Sequence, residues 1–227
     1  MHTIALATQK GGSGKSTLAI GLAIAAMDDG QRVAVIEADP QGTISNWGRR
    51  RTNPEPRIAR AGSGMAIEQA IADLERDGFT VVIIDTAATD NTLSASGIEA
   101  ADLCLIAARP SAADIEAALP TLNTVRRLEK RFAFILNQTP VRSPRASSVA
   151  TTLNASGVLA LPYIVLRNDH QDALAAGLGV TEYDSDGKAA EEVRGLWRWV
   201  WTSLTEDSRD HGRLASGPAD DAMQARN

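Results

Sequence analysis

The sequence predicts an α/β fold, a doubly wound and mostly parallel sheet flanked by helices within a single domain. Short apolar runs alternate along the chain with helical stretches, which is the order expected of strand–helix units. The runs are nearly continuous in apolar residues, as in strands that are buried on both faces. The chain has 227 residues, 44% of them apolar, so it can bury a core without disulfides or structural metals.

The predicted elements follow in order from the N-terminus. Residues 3–8 form the first strand, and the helix over residues 15–29 ends at Gly30. The later predicted strands cover residues 32–37, 57–61, 79–85, 101–108, 131–137 and 159–165. The later predicted helices cover residues 43–50, 65–76, 112–129, 171–176 and 187–204, and residues 90–92 cap one more. Residues 1–204 are assigned to the domain, and the polar residues 205–227 to a disordered tail.

A glycine-rich loop joins the first strand to the first helix, at residues 9–16. Glycines let the backbone turn its N–H groups toward one anion, and the helix that follows adds the positive end of its dipole. In the pattern G-x-x-x-x-G-K-[ST], Lys15 reaches the β and γ phosphates and Ser16 holds magnesium. This chain has Gln9 in place of the first glycine, followed by a second lysine, Lys10. The predicted nucleotide-binding residues of the loop are Gly11, Gly12, Ser13, Gly14, Lys15, Ser16 and Thr17.

The second lysine makes the loop similar to the motif of one known family. Only four lysines occur beside nineteen arginines, and two of the four lie in this loop. The pattern K-G-G-x-G-K-[ST] resembles the deviant Walker A motif of the ParA/MinD family of P-loop ATPases. The resemblance implies ATP and Mg²⁺ as cofactors and a homodimer in the ATP-bound state. It also implies that Lys10 reaches the phosphates held by the partner subunit, which makes Lys10 and Lys15 catalytic. The alternative is a glycine-rich turn that binds nothing.

Two carboxylates follow predicted strands. Residues 37–42 resemble the D-x-D-P-Q-G switch I segment of the family, with Glu37 in place of the first aspartate. The resemblance implies that Asp39 is catalytic and orients the attacking water, although the same residues are also strong turn formers. Asp85 ends an apolar run in a Walker B pattern. Ser16, Asp39 and Asp85 are therefore the predicted magnesium residues, partly through water. The family usually continues D-x-P-P, whereas residues 85–88 read D-T-A-A, which leaves switch II less restrained.

The resemblance extends into the C-terminal half of the chain. Asn137 matches the family position that contacts the adenine base, although asparagine also ends strands for purely local reasons. Residues 161–169 are similar to the segment that closes over the base. Residues 172–183 resemble the family's C-terminal signature.

Local clusters of basic residues stand out on a chain whose net charge is −5. Residues 47–60 contain five arginines and one glutamate. A second cluster supplies the candidate DNA-binding residues. These are Arg126, Arg127, Lys130, Arg131, Arg142 and Arg145. Such clusters can neutralise DNA phosphates without reading sequence, or they can be ordinary solvated helix faces.

Composition limits the cellular setting. The single cysteine, Cys104, cannot form an internal disulfide, and no apolar stretch approaches the ~18 residues of a membrane span. The sequence therefore predicts a cytoplasmic protein that does not enter membranes. The stripe of Leu196, Trp197, Val200, Trp201 and Leu204 is interpreted as packing onto the sheet.

The resemblance implies a protein that uses ATP binding and hydrolysis to time its dimerisation and its association with DNA. An ATP-bound dimer would bind DNA nonspecifically, associate with the nucleoid, and segregate or position a plasmid, chromosome region or protein cluster. Hydrolysis would be slow until a ParB-like partner stimulates it. Two alternatives stay open: a biosynthetic ATP-dependent ligase of the same lineage, and a scaffold that binds nucleotide without hydrolysing it.

Overall fold

Seven parallel strands form one sheet in the computed structural model, which describes residues 1–89 and 91–206. The strands are β1 His2–Ala7, β2 Val33–Glu37, β3 Arg57–Arg60, β4 Val81–Asp85, β5 Leu103–Ala108, β6 Phe132–Leu136 and β7 Leu159–Ala160. Their spatial order is β3-β2-β4-β1-β5-β6-β7, and every ladder is parallel. The predicted doubly wound parallel sheet is thereby confirmed.

Helices cover both faces of the sheet. They are α1 Lys15–Asp28, α2 Thr43–Gly48, α3 Gly64–Arg76, α4 Thr92–Glu99, α5 Ala112–Arg127, α6 Pro144–Ser156, α7 Asp169–Ala175, α8 Val180–Tyr183 and α9 Lys188–Glu206. One apolar core joins the sheet to α1, α2, α7, α8 and α9. Two further cores join the opposite face to α3, α4, α5 and α6.

The sheet places its ligand crevice at the end of β1. This strand lies between β4 and β5, so the connections that leave β1 and β5 turn to opposite sides of it. Such a reversal opens a crevice beyond the carboxyl ends of the strands. The glycine-rich loop follows β1 directly, while Glu37 and Asp85 end the neighbouring strands β2 and β4 and lie side by side in the ladder.

Three elements differ from the sequence prediction, and one of them is the short helix α8, which was not predicted. The strand predicted over residues 159–165 contains only Leu159–Ala160, and Val165 makes an isolated bridge to Thr139. Pro162 has no N–H to donate to a ladder, which shortens the strand. Helix α6 was not predicted, although Ser143 caps it by accepting from the Ala146 N–H and Pro144 occupies its first turn. Its buried residues also have helical spacing: Ala146, Val149, Ala150 and Leu153.

Helix α9 packs on α1 through its tryptophan-containing face. Leu196, Trp197, Val200 and Leu204 are all buried, and Trp201 is partly buried beside Trp197. The stripe therefore packs into the core as expected, but α9 packs more on α1 than directly on the sheet. Among residues 1–89 and 91–206, no helix has the length and apolarity needed to cross a bilayer. Most of the predicted tail, residues 207–227, lies outside the described residues, and the domain boundary stays a prediction.

Candidate functional site

The loop between β1 and α1 is built as an anion cradle. Gly12 and Gly14 have φ angles of +74° and +88°, which only glycine adopts freely. Gly14 is the residue before α1 and supplies no side-chain cap, and the first turn of α1 contains no acidic residue. The first N–H groups of the helix therefore have no competing anion from their own turn.

Lys15 and Asp85 lie at the base of the crevice. Lys15 is 6% exposed and Asp85 is fully buried. Burial lowers the pKa of Lys15, while the charges of Asp85 and Asp39 act in the opposite direction. Burial raises the pKa of Asp85 to about 7, against the influence of Ser16 and Lys15. Neither Asp85 oxygen accepts a hydrogen bond of good geometry, so the carboxylate has unused acceptor capacity that a bound cation could satisfy.

The donor set at this point fits magnesium. The unpartnered Asp85 oxygens, the nearby Ser16 hydroxyl and the Asp39 carboxylate are hard oxygen ligands. Within residues 1–89 and 91–206, no group of three His, Cys, Asp or Glu side chains could enclose a metal ion. Magnesium suits such an incomplete set, because it keeps several waters and takes further oxygens from substrate phosphates.

Asp39 and Glu37 make different contacts in the structure. Asp39 lies partly exposed at the rim, and its Oδ1 accepts a hydrogen bond from the Gln41 N–H at 2.9 Å, so the turn interpretation holds in this structure. Glu37 is buried, and its Oε1 accepts from the N–H groups of Ile44 and Ser45 at 2.7 and 3.1 Å. Glu37 therefore caps the start of α2, a role that sequence reasoning missed. The Ser45 hydroxyl also donates to its other oxygen, and Arg60 lies 3.4 Å from it.

Lys10 is held by its own chain. Its Nζ lies 2.8 Å from Oδ2 of Asp114, in the first turn of α5, and its side chain keeps 28% of its surface exposed. Asp114 is buried and also accepts from Arg109 Nε at 2.9 Å and from the Ser111 hydroxyl. Burial raises the pKa of Asp114, but hydrogen bonds from Lys10, Ser111 and Arg109 together hold it below its ordinary value. The sequence S-x-x-D at 111–114 signals a helix start, yet it does not reveal the distant lysine.

Asn137 contacts the phosphate loop. Its Nδ2 donates to the Ser13 carbonyl at 2.8 Å, and its Oδ1 accepts from the Gln138 N–H at 2.9 Å. The side chain is 4% exposed. Both ends of this amide are therefore engaged within the chain, and its predicted contact with adenine stays a prediction.

The candidate DNA-binding residues do not form one surface. Arg126, Arg127, Lys130 and Arg131 lie between the end of α5 and the start of β6, whereas Arg142 and Arg145 follow the end of β6. Since β6 has five residues, roughly 17 Å of strand separates the two groups. The first four residues therefore lie at the edge of the sheet where the strands begin. Arg142 and Arg145 lie at the carboxyl edge, where the strands end.

Three of the five arginines of residues 47–60 form ion pairs with other parts of the chain. Arg51 has a side chain that is 2% exposed and makes a two-point ion pair with Glu182, with both N–O distances at 2.8 Å. It also stacks over the ring of Trp47 at 4.6 Å. Arg57 and Arg60 pair with Asp77 and Glu37. Arg51 thus joins this segment to the C-terminal signature, while Arg49 and Arg50 are exposed, so the cluster remains a candidate cationic surface.

Switch II is tied to the central strand at its beginning. The Thr86 hydroxyl, at the variable position of the D-x-P-P pattern, donates to the Leu6 carbonyl at 2.8 Å. Asn91 caps α4 by accepting from the Ser94 N–H at 2.8 Å, as predicted. Asp90, which was expected to share this role, lies outside the described residues.

This fold and this loop define a class, the P-loop nucleotide-binding proteins that carry a second lysine in the loop. The model of the "CobQ/CobB/MinD/ParA nucleotide binding domain" matches residues 4–186. The chain therefore belongs to this family, and the resemblance stated from the loop motifs is confirmed.

Similar proteins include one that is named for the distribution of carboxysomes. The chain is 30% identical over 216 residues to maintenance of carboxysome distribution protein A of Gloeobacter kilaueensis, covering 92% of this chain and 96% of that protein. It is 29% identical to protein IncC of Escherichia coli, covering 90% of this chain and 70% of that protein. An ATP complex of Cyanothece McdA has the same fold, with a TM-score of 0.74, 18% identity and coverage of 88% and 96%.

Proposed function

We propose that this protein is an ATPase that positions or segregates a cargo. It binds ATP with Mg²⁺, dimerises around the nucleotide, and hydrolyses it slowly until a ParB-like partner stimulates turnover. The dimer binds DNA without sequence preference. The protein is accordingly cytoplasmic and associated with the nucleoid.

The separation of the two loop lysines is the observation that carries this proposal. Lys15 is buried beside Asp85 and serves its own pocket. Lys10 ends at the rim of the crevice, on Asp114, with part of its surface exposed. A cation in that position can reach a second subunit once its ion pair with Asp114 opens, and there it can neutralise charge that develops on a transferring phosphoryl group.

Each remaining part of the site has a chemical task in this proposal. The loop N–H groups and the start of α1 bind the phosphates, and Lys15 pairs with their charge. Magnesium, when bound, would supply positive charge that offsets the charge developing in the transition state. Ser16, Asp39 and Asp85 would hold it. Asp39 orients the attacking water from its place at the rim of the crevice.

ATPase assays with and without DNA test the proposal. Turnover that rises on adding DNA, together with ATP-dependent dimers in sedimentation, is the expected result. A requirement for a small carboxylate acceptor would instead indicate the ligase alternative. ATP-dependent dimers without any turnover would indicate the scaffold.

A further inference from the structure

Two consecutive amide side chains pack against the phosphate loop from the end of β6. Asn137 Nδ2 donates to the Ser13 carbonyl at 2.8 Å, and Gln138 Nε2 donates to the Gly12 carbonyl at 3.1 Å. The contact leaves no spare room, because a methyl group built on Gly14 would overlap Asn137 Nδ2 and lie 3.1 Å from Gln138 Nε2. The glycine at position 14 is thus required by this packing as well as by its positive φ angle.

The backbone is arranged to present the second amide. Gln138 has a φ angle of +53°, a left-handed conformation that non-glycine residues adopt at a cost of about 1–2 kcal/mol. The Asn137 side chain accepts the Gln138 N–H at 2.9 Å, and Asn137 N–H itself donates to the Ala108 carbonyl at 2.8 Å. The two amides therefore start from a fixed point at the edge of the sheet.

The direction of a carbonyl fixes the direction of the next N–H. In a planar trans peptide, the C=O of one residue and the N–H of the following residue point to opposite sides. Holding the Gly12 carbonyl toward β6 therefore turns the Ser13 N–H away from β6. Holding the Ser13 carbonyl does the same for the Gly14 N–H. These are N–H groups of the loop that would receive the phosphates.

We propose that Asn137 and Gln138 form an amide clamp that orients the Ser13 and Gly14 N–H groups for phosphate, with Gln138 as a positioning residue for nucleotide binding. This inference rests on the proposed function only in taking ATP as the ligand. The clamp acts on the loop backbone and not on the adenine base. It therefore affects ATP and ADP alike.

Nucleotide affinity measured by titration calorimetry tests the clamp. Gln138→Met keeps the length of the side chain and removes its donor, so we expect the Kd for ATP and for ADP to rise roughly threefold to tenfold. The kcat should change by less than about twofold, because the lost interaction is made in the ground state and the transition state alike. Gln171→Met, at an exposed glutamine of α7, is the matched control and should leave both Kd values unchanged.

A second variant separates positioning from folding. Gln138→Gly removes the amide and relieves the left-handed backbone, so the protein stays folded while the clamp is open. It should raise the Kd for ATP to the same extent as Gln138→Met does, and it should speed amide hydrogen exchange at Ser13 and Gly14. Unchanged ATP affinity in both Gln138 variants, beside an unmodified protein that binds ATP, would overturn the clamp. Failure of the unmodified protein to bind ATP would overturn the proposed function instead.

Discussion

The amine of Lys10 lies 2.8 Å from the carboxylate of Asp114, so the lysine that distinguishes this loop is paired with α5 of its own chain. Asp114 is buried and its pKa stays below the ordinary value once burial is offset by three donors, so this carboxylate is ionised at neutral pH. For Lys10 to enter a partner's pocket, this ion pair has to open. Opening it reduces the apparent affinity of dimerisation by the population of the open form.

Weakening this pair should ease dimerisation. We expect Asp114→Asn to lower the ATP concentration that gives half-maximal dimer by roughly threefold to tenfold, since a partly exposed charged pair contributes about 0.5–1.5 kcal/mol. Analytical ultracentrifugation over an ATP series measures this. Asp73→Asn, which removes an exposed ion pair with Arg76 on α3, is the control. A variant that needs as much ATP as the unmodified protein would show that the pair does not restrain Lys10.

Removing the lysine itself should separate binding from dimerisation. Lys10→Ala should bind ATP with nearly unchanged affinity, because Lys15 serves the pocket, yet form no ATP-dependent dimer and lose at least about tenfold in turnover. Calorimetry and sedimentation report the two properties. Lys188→Ala, at an exposed lysine of α9, should match the unmodified protein. Normal dimers and normal turnover in Lys10→Ala would contradict a role across the subunit boundary.

Asp39 should act after dimerisation. We expect Asp39→Ala to form an ATP dimer that persists on DNA, with hydrolysis slowed by about 10² or more because the attacking water is no longer oriented. Co-sedimentation with DNA follows the complex over time. If the variant stays monomeric with a slowly hydrolysed ATP analogue, Asp39 serves assembly and not hydrolysis.

The two edges of the sheet allow a separation of DNA-binding surfaces. The carboxyl edge carries the nucleotide crevice that a dimer would cover, so Arg126 and Arg127 at the opposite edge are the better candidates for DNA. Arg126→Glu with Arg127→Glu should weaken binding to any DNA sequence and reduce the salt slope by about one per lost phosphate contact. Filter binding at several salt concentrations measures both.

The comparison pair for this test lies at the carboxyl edge. Arg142→Glu with Arg145→Glu should affect dimerisation more than DNA affinity, and Lys188→Glu with Arg198→Glu on α9, two exposed positions, gives the same change in net charge as a control. DNA binding lost only in the Arg142 and Arg145 variant would reverse the assignment of the two edges.

The buried Asp85 predicts a pH dependence. Its pKa of about 7 in the folded protein lies above the ordinary 3.8, so its contribution to stability is complete below about pH 4 and is lost as the pH rises through about 7. Without nucleotide, the unmodified protein should therefore lose more stability between about pH 5 and pH 8 than Asp85→Asn does. Thermal unfolding across this range checks the difference. Parallel pH profiles for the two proteins would contradict the shifted pKa.

Magnesium gives the same experiment a second arm. Mg²⁺ with ATP should raise the unfolding temperature of the unmodified protein most strongly above about pH 7, where Asp85 is ionised and can hold the metal. The unfolding temperature of Asp85→Asn should rise much less under the same conditions. An equal gain in both proteins would exclude Asp85 from the metal site.

The parts of this molecule that are local in sequence were predictable. The cradle at residues 9–16 depends on glycines and a following helix within one short segment, and the run that ends at Asp85 depends on neighbouring apolar residues. Helix α6 also had local signals in Ser143 and Pro144, but its many Ser and Thr residues have weak helix propensity.

The contacts that complete the site are distant in sequence. Lys10 and Asp114 are separated by 104 positions, and Gln138 lies 126 positions from the glycine whose carbonyl it holds. Only the strand order brings these pairs together. Glu37 shows a further limit of prediction from sequence. Its residue type predicts a carboxylate at the site, but the longer glutamate side chain places that carboxylate against the start of α2.

The pair of Arg51 and Glu182 has a consequence for engineering hybrids within this family. These side chains are 131 positions apart, and Arg51 also donates to the Gly177 carbonyl at 2.9 Å. A hybrid that takes its last third from a relative without an acidic residue at position 182 would leave a nearly buried guanidinium without its counter-ion. A hybrid should therefore take positions 51 and 182 from the same parent protein.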